Sequence, residues 1–144
     1  MKVLIPVDGS TYAKEAIVTA LEEGFLEEKE VHLITVVEGT AAGRDSYLSD
    51  DVVQQILDAQ AKAGSEILEQ AKGLFDPNRQ ISGVFRVGDA AENILDYAKT
   101  IEADFIMMGT RGRGALGSML LGSVSIKILQ HAQCPVLIMK KKNY

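Results

Sequence analysis

The chain has 144 residues, of which 47% are hydrophobic and 24% charged, with a formal net charge of -5. That length suits one domain, residues 1–144, with enough chain for a real core, and the composition is ordinary for a globular protein. The negative charge argues against general binding to nucleic acid or to anionic membrane surfaces. Cys134 is the only cysteine, which excludes an intrachain disulfide. The opening Met1-Lys2-Val3-Leu4-Ile5-Pro6 is too short an apolar stretch for a signal peptide. No apolar run reaches the roughly eighteen residues of a membrane span. The expectation is a cytoplasmic protein with no membrane or nucleic-acid partner.

Val3-Leu4-Ile5-Pro6-Val7 is an all-apolar run, as expected of a strand buried on both faces in a parallel sheet. Pro6 has no N–H to give a ladder, so the strand is near its end there. Asp8-Gly9-Ser10 forms the turn, and Ser10 or Thr11 caps a helix with apolar positions at Ala13, Ala16, Ile17, Ala20 and Leu21. Val31 to Val37 reads as the second strand, carrying His32 on one face. Residues 38 to 49 have no period and read as a long loop, functional or mobile. Ser49-Asp50-Asp51 then has the form of an N-cap followed by acids in a first turn.

An apolar helical stripe follows from about Val52 to Phe75, with Gly64 in its middle marking close packing or a bend, and Asp76-Pro77 ending it. Ile81 to Val87 is the third strand. Gly88 turns the chain, Asp89 caps the next helix, and Glu92 sits at the capping-box position. Ala103 to Gly109 is the fourth strand, and the last helix reaches about Gln130. His131 caps that helix's final carbonyls, and Cys134 to Met139 is the fifth strand. Cys134 reads as a small buried thiol rather than as half of a Cys–His nucleophile pair. Lys140-Lys141-Lys142 is a solubilising end. Strand and helix alternate five times, which is the doubly wound α/β pattern with helices on both faces of a five-stranded parallel sheet.

The most informative stretch is Gly109 to Ser125, GTRGRGALGSMLLGSVS, between the fourth strand and the last helix. Glycines let backbone N–H groups approach an oxyanion, and a helix start adds unpaired donors and a partial positive charge. The stretch therefore reads as a cradle for nucleotide phosphates. It is not a P-loop, because no lysine precedes Ser123, and no G-x-G-x-x-G falls at the strand-to-helix turn. Its spacing is G-x2-G-x9-G-S, through Gly109, Gly112, Gly122 and Ser123. Asp8, at the carboxyl end of the first strand, has two readings: a turn-forming aspartate, or a contact to metal or nucleotide.

That spacing resembles the ATP-binding motif of the universal stress protein family. The opening Val3-Leu4-Ile5-Pro6-Val7-Asp8-Gly9-Ser10, the Ala103-Asp104 to Gly114 stretch, Gly122-Ser123-Val124-Ser125 and the closing Cys134-Pro135-Val136-Leu137-Ile138 extend the resemblance over essentially the whole chain. The resemblance implies strand order 3-2-1-4-5, which makes strands one and four neighbours. It implies that Pro6, Val7 and Asp8 lie near adenine and ribose, with Val36 or Val37 against the base. It places Met108, Gly109, Arg111 and Gly112 at the start of the phosphate loop, and Gly122, Ser123, Val124 and Ser125 at its end. Arg111 and Arg113 add charge there or are simply solvated.

The expected function is an ATP-binding regulatory protein of the stress response, pairing as a homodimer through the C-terminal strand. One alternative is a slow ATPase or nucleotidyl-transferring enzyme using Asp8 with Mg2+, although no convincing base accompanies the loop. Another is a dimeric interaction module that binds no ATP. AMP or a cyclic nucleotide is also compatible with the crevice, and no catalytic residue is assigned.

Overall fold

The computed structural model describes residues 1–39, 47–111 and 120–140. Its elements are β1 (Lys2–Pro6), α1 (Thr11–Glu22), β2 (Glu30–Val37), α2 (Asp50–Lys72), β3 (Ile81–Val87), α3 (Ala90–Thr100), β4 (Phe105–Gly109), α4 (Ser123–His131) and β5 (Val136–Met139). The five strands are parallel and lie in the order β3-β2-β1-β4-β5. The alternating pattern and the expected order both hold.

The apolar runs explain the layers. In β1, successive side chains point to opposite faces, so an uninterrupted apolar strand must be covered on both. Val3 and Ile5 pack with Ala16 and Ile17 of α1 and Leu68 of α2. Leu4 faces the other way, with Ile94 of α3 and Ile128 of α4. None of Val3, Leu4 and Ile5 is more than 1% exposed. Two helices thus cover each face, and β1 at the centre of the sheet is buried on both.

Local chemistry sets the boundaries. The Asp8 carboxylate accepts a hydrogen bond from the Ser10 N–H at 2.9 Å, and the Ser10 hydroxyl accepts from the Ala13 N–H at 3.2 Å. The turn after β1 therefore hands directly to the α1 cap. Asp89 caps α3 by accepting from the Glu92 N–H at 2.9 Å, and Gly88 before it has φ 132°, a conformation open to glycine. Ser49 occupies the N-cap position of α2 but makes no side-chain cap bond.

Several boundaries differ from the sequence expectation: β1 runs from Lys2 to Pro6 rather than from Val3 to Val7, β2 begins one residue early at Glu30, and α2 begins at Asp50. The helix α2 stops at Lys72, short of Asp76-Pro77, because Gly73 caps it and Leu74 and Phe75 turn back to bond the Ala71 and Lys72 carbonyls. Phe75 is still core, from a turn rather than from the helix. The strand β4 begins at Phe105, since Ala103 N–H serves the end of α3 by bonding the Ala98 carbonyl. The strand β5 begins at Val136, after Pro135, which has no N–H for a ladder.

Candidate functional site

In this order the winding reverses at β1, whose neighbours are β2 and β4. Loops leaving adjacent strands diverge at such a point and open a crevice at the carboxyl ends. Pro6, Val7 and Asp8 leave β1 there, and Met108 and Gly109 end β4. Val7 is buried, and its N–H bonds the Ile34 carbonyl of β2 at 2.8 Å, so the β1 end is held as firmly as the strand.

Gly109 must be glycine for a reason of space. A Cβ there would lie 2.7 Å from the Tyr12 carbonyl oxygen, so β4 ends hard against the first turn of α1. Arg111 follows and stacks over the Tyr12 ring, 5.7 Å from its centroid. The glycine loop is pinched at its base: the Gly122 N–H bonds the Thr110 carbonyl at 3.0 Å. Gly112 and Arg113 lie outside the described residues.

The start of α4 differs chemically from the starts of α1 and α3. Those two are capped by Ser10 and Asp89. The α4 cap is Gly122, extended at φ -74° and ψ 164°, with no side-chain cap bond. The Gly122 cap itself offers no side-chain acceptor to the first-turn N–H groups of α4, which suits an anion. Ser123 lies at the opening, while Ser125 is 5% exposed and packs inward.

Beside this helix start is a cleft of about 490 Å³. Its walls include Glu38 after β2, Asp89 at the start of α3, and Ser123, Val124 and Lys127 of α4. At the end of β2, Val36 packs with the α3 and α4 core. The Val37 carbonyl accepts from the Gly88 N–H at 3.0 Å, joining the β2 and β3 ends. The structure therefore gathers Pro6, Val7, Asp8, Met108, Gly109 and Arg111 around the switch point, and Gly122, Ser123, Val124 and Ser125 at the adjoining helix start.

Glu38 and Lys127 were not singled out from the sequence, and Asp89 was read only as a cap. Lys127 carried a usable signal: it is four residues after Ser123, hence on the same face of a helix. Glu38 carried none, because only the pairing of β2 with β3 brings it beside Asp89.

The two histidines and the cysteine lie elsewhere. His32, near the start of β2, bonds Glu30 Oε1 through Nε2 at 2.7 Å and meets the Tyr97 ring edge-on. That bond holds the Glu30 carboxyl below its ordinary range. His131 Nδ1 contacts the Lys127 carbonyl at 2.9 Å, the expected helix-end cap. Burial pushes the Cys134 thiol up, which disfavours the thiolate a nucleophile needs. Among the described residues, no group of three or more His, Cys, Asp or Glu side chains converges as a metal site. Asp8 brings one carboxylate to the end of β1, where it also accepts from the Ser10 N–H. That suits Mg2+, which takes one or two carboxylates and completes its shell with phosphate oxygens and water.

A family model described as the universal stress protein family matches residues 1–140. A universal stress protein of Methanocaldococcus jannaschii is 32% identical over 142 residues, covering 97% of this chain and 82% of its own. Among solved structures, universal stress protein UspA from Lactobacillus plantarum superposes with a TM-score of 0.78 at 24% identity, covering 97% of each chain. A family protein from Arabidopsis thaliana, solved with AMP bound, gives 0.67 at 22% identity, over 99% of this chain and 92% of that one. A universal stress protein in complex with cAMP gives 0.62 at 18%, over 99% and 98%.

Proposed function

This chain belongs to the universal stress protein family, and from that premise we propose that it is a regulatory protein that binds an adenine nucleotide, ATP with Mg2+ foremost. The observation that carries the reading is the start of α4. A helix capped by glycine, at the end of a glycine loop pinched by the Gly122–Thr110 bond, opens beside a cleft of about 490 Å³ between the β2 end, the start of α3 and α4.

In this reading Pro6, Val7 and Asp8 meet adenine and ribose, and Val36 or Val37 lies against the base. Met108, Gly109, Arg111, Gly112 and Arg113 begin the phosphate cradle. Gly122, Ser123, Val124 and Ser125 end it, through backbone N–H groups and the Ser123 hydroxyl. Asp8 would hold Mg2+ together with phosphate oxygens. The AMP and cAMP held by the two structural neighbours support adenine as the base while leaving the phosphate count to this chain's own loop.

The protein acts in the cytoplasm, as a homodimer joined through β5. That strand is at the edge of the sheet, so its outer backbone groups suit a second strand. Nucleotide then biases one arrangement of loop and dimer through differential affinity. The reading assigns no catalytic base, so turnover by Asp8 and Mg2+ is slow at most.

The test begins by denaturing the purified protein and identifying any released nucleotide. ATP with Mg2+ is then titrated calorimetrically into nucleotide-free protein and into a Gly122→Ala/Ser123→Ala variant. Retained ATP, or micromolar or tighter binding that the variant loses, is the expected outcome. Neither retained nucleotide nor binding would overturn the reading and leave a dimeric interaction module.

A further inference from the structure

We propose that Lys127 contacts the ligand's phosphate in the nucleotide cleft, and that Asp89 tunes this affinity by competing for the same ammonium group. The proposal rests on the nucleotide reading above and adds to it a specificity-determining pair.

One helical turn separates Lys127 from Ser123, so its side chain rises on the face of α4 that opens to the cleft. It lines that cleft together with Ser123 and Val124. Of the described residues lining the cleft, Lys127 is the only cation, set against the carboxylates of Glu38 and Asp89. Among the described lining residues, a phosphorylated ligand entering here meets two like charges and one opposite charge, beyond the Arg111 and Arg113 that the nucleotide reading assigns to the cradle. The position of Lys127 therefore weighs heavily on whether phosphate is accepted.

The two oxygens of Asp89 divide their work. Oδ1 accepts from the Glu92 N–H and caps α3. Oδ2 faces Lys127 Nζ at 3.7 Å, an ion pair too long for a direct hydrogen bond. The two side chains are 59% and 43% exposed, so the pair is loose and screened by solvent. A phosphate oxygen within hydrogen-bond distance offers the ammonium a stronger partner. Lysine's flexible four-carbon stem allows the transfer without moving α4. Binding then breaks the tie between the α3 cap and α4. The nucleoside portion gains nothing from the exchange, so the pair selects for phosphate and not for base.

The test is a double-mutant cycle on the full chain. Wild type, Lys127→Gln, Asp89→Asn and the double variant are titrated with ATP, AMP and adenosine at one salt concentration. Asparagine keeps a side-chain oxygen for the α3 cap. Lys127→Gln is expected to weaken ATP and AMP about tenfold while leaving adenosine unchanged. Asp89→Asn is expected to tighten the phosphorylated ligands about threefold, and the gain to vanish in the Lys127→Gln background.

A gain that persists without the lysine would overturn the competition, since it would report plain repulsion by the carboxylate. Equal weakening of adenosine would make Lys127 structural and overturn its phosphate role. Tight ATP binding unchanged in every variant would overturn this proposal alone. Failure of the wild type to bind any of the three ligands would overturn the nucleotide reading with it.

Discussion

Gly64 lies in the middle of α2, where alanine would ordinarily be the better helix former by about 1 kcal/mol. Its backbone instead meets the Phe85 ring of β3: a Cβ would fall 2.2 Å from Cδ2 and 2.6 Å from Cε2. The glycine thus marks close packing of helix on sheet, the first of its two sequence readings. Overpacking of this kind costs about 1–3 kcal/mol, which outweighs the propensity gain. Gly64→Ala is expected to be destabilising by about 1–2 kcal/mol in urea unfolding, with part of the loss recovered in Gly64→Ala/Phe85→Leu. Asp89 shows the same limit of a sequence reading. Its capping role was legible from Glu92 three residues on, whereas the role of its second oxygen depends on α4, 34 residues later in the chain.

Among the elements, α2 departs furthest from its sequence reading. The apolar stripe reads as one helical face from about Val52 to Phe75. In the structure its buried residues are Gly64, Leu68 and Ala71, all in the second half. Val52 and Leu57 are exposed. Length explains this: 23 residues of helix span about 35 Å, while the eight residues of β2 span about 26 Å. The first turns of α2 therefore overhang the sheet. Periodicity reveals which face of a helix is apolar but not whether anything lies opposite. Amides of Asp50 to Gln60 are expected to exchange with solvent faster than those of Glu66 to Lys72, because fewer buried contacts oppose local opening. Amide hydrogen exchange followed by mass spectrometry checks this, and equal protection in both halves would contradict the overhang.

For the whole molecule, the proposed nucleotide binding carries a consequence for stability. A ligand that binds only the folded chain, at a hundredfold excess over its Kd, stabilises by about 2.7 kcal/mol. For a domain of this size that raises the Tm by roughly 5–10 °C. Excess ATP with Mg2+ is expected to give such a shift in wild type and little in Gly122→Ala/Ser123→Ala. A shift of equal size in the variant would place the nucleotide elsewhere than at α4.

The sequence by itself determined the alternation of strands and helices, the burial of β1 on both faces, and the glycine-rich approach to α4. These follow from local periodicity, turn chemistry and caps, which act over a few residues. The 3-2-1-4-5 order was legible only through family resemblance, because a chain of apolar strands does not state which strands are neighbours. Tertiary structure alone decided that Gly109 abuts the Tyr12 carbonyl and that Glu38 and Asp89 share a wall. It alone set Lys127 across from Asp89 and left Val52 and Leu57 of α2 exposed. Each of these is a meeting of residues distant in sequence, and packing of the two helical layers on one sheet fixes it.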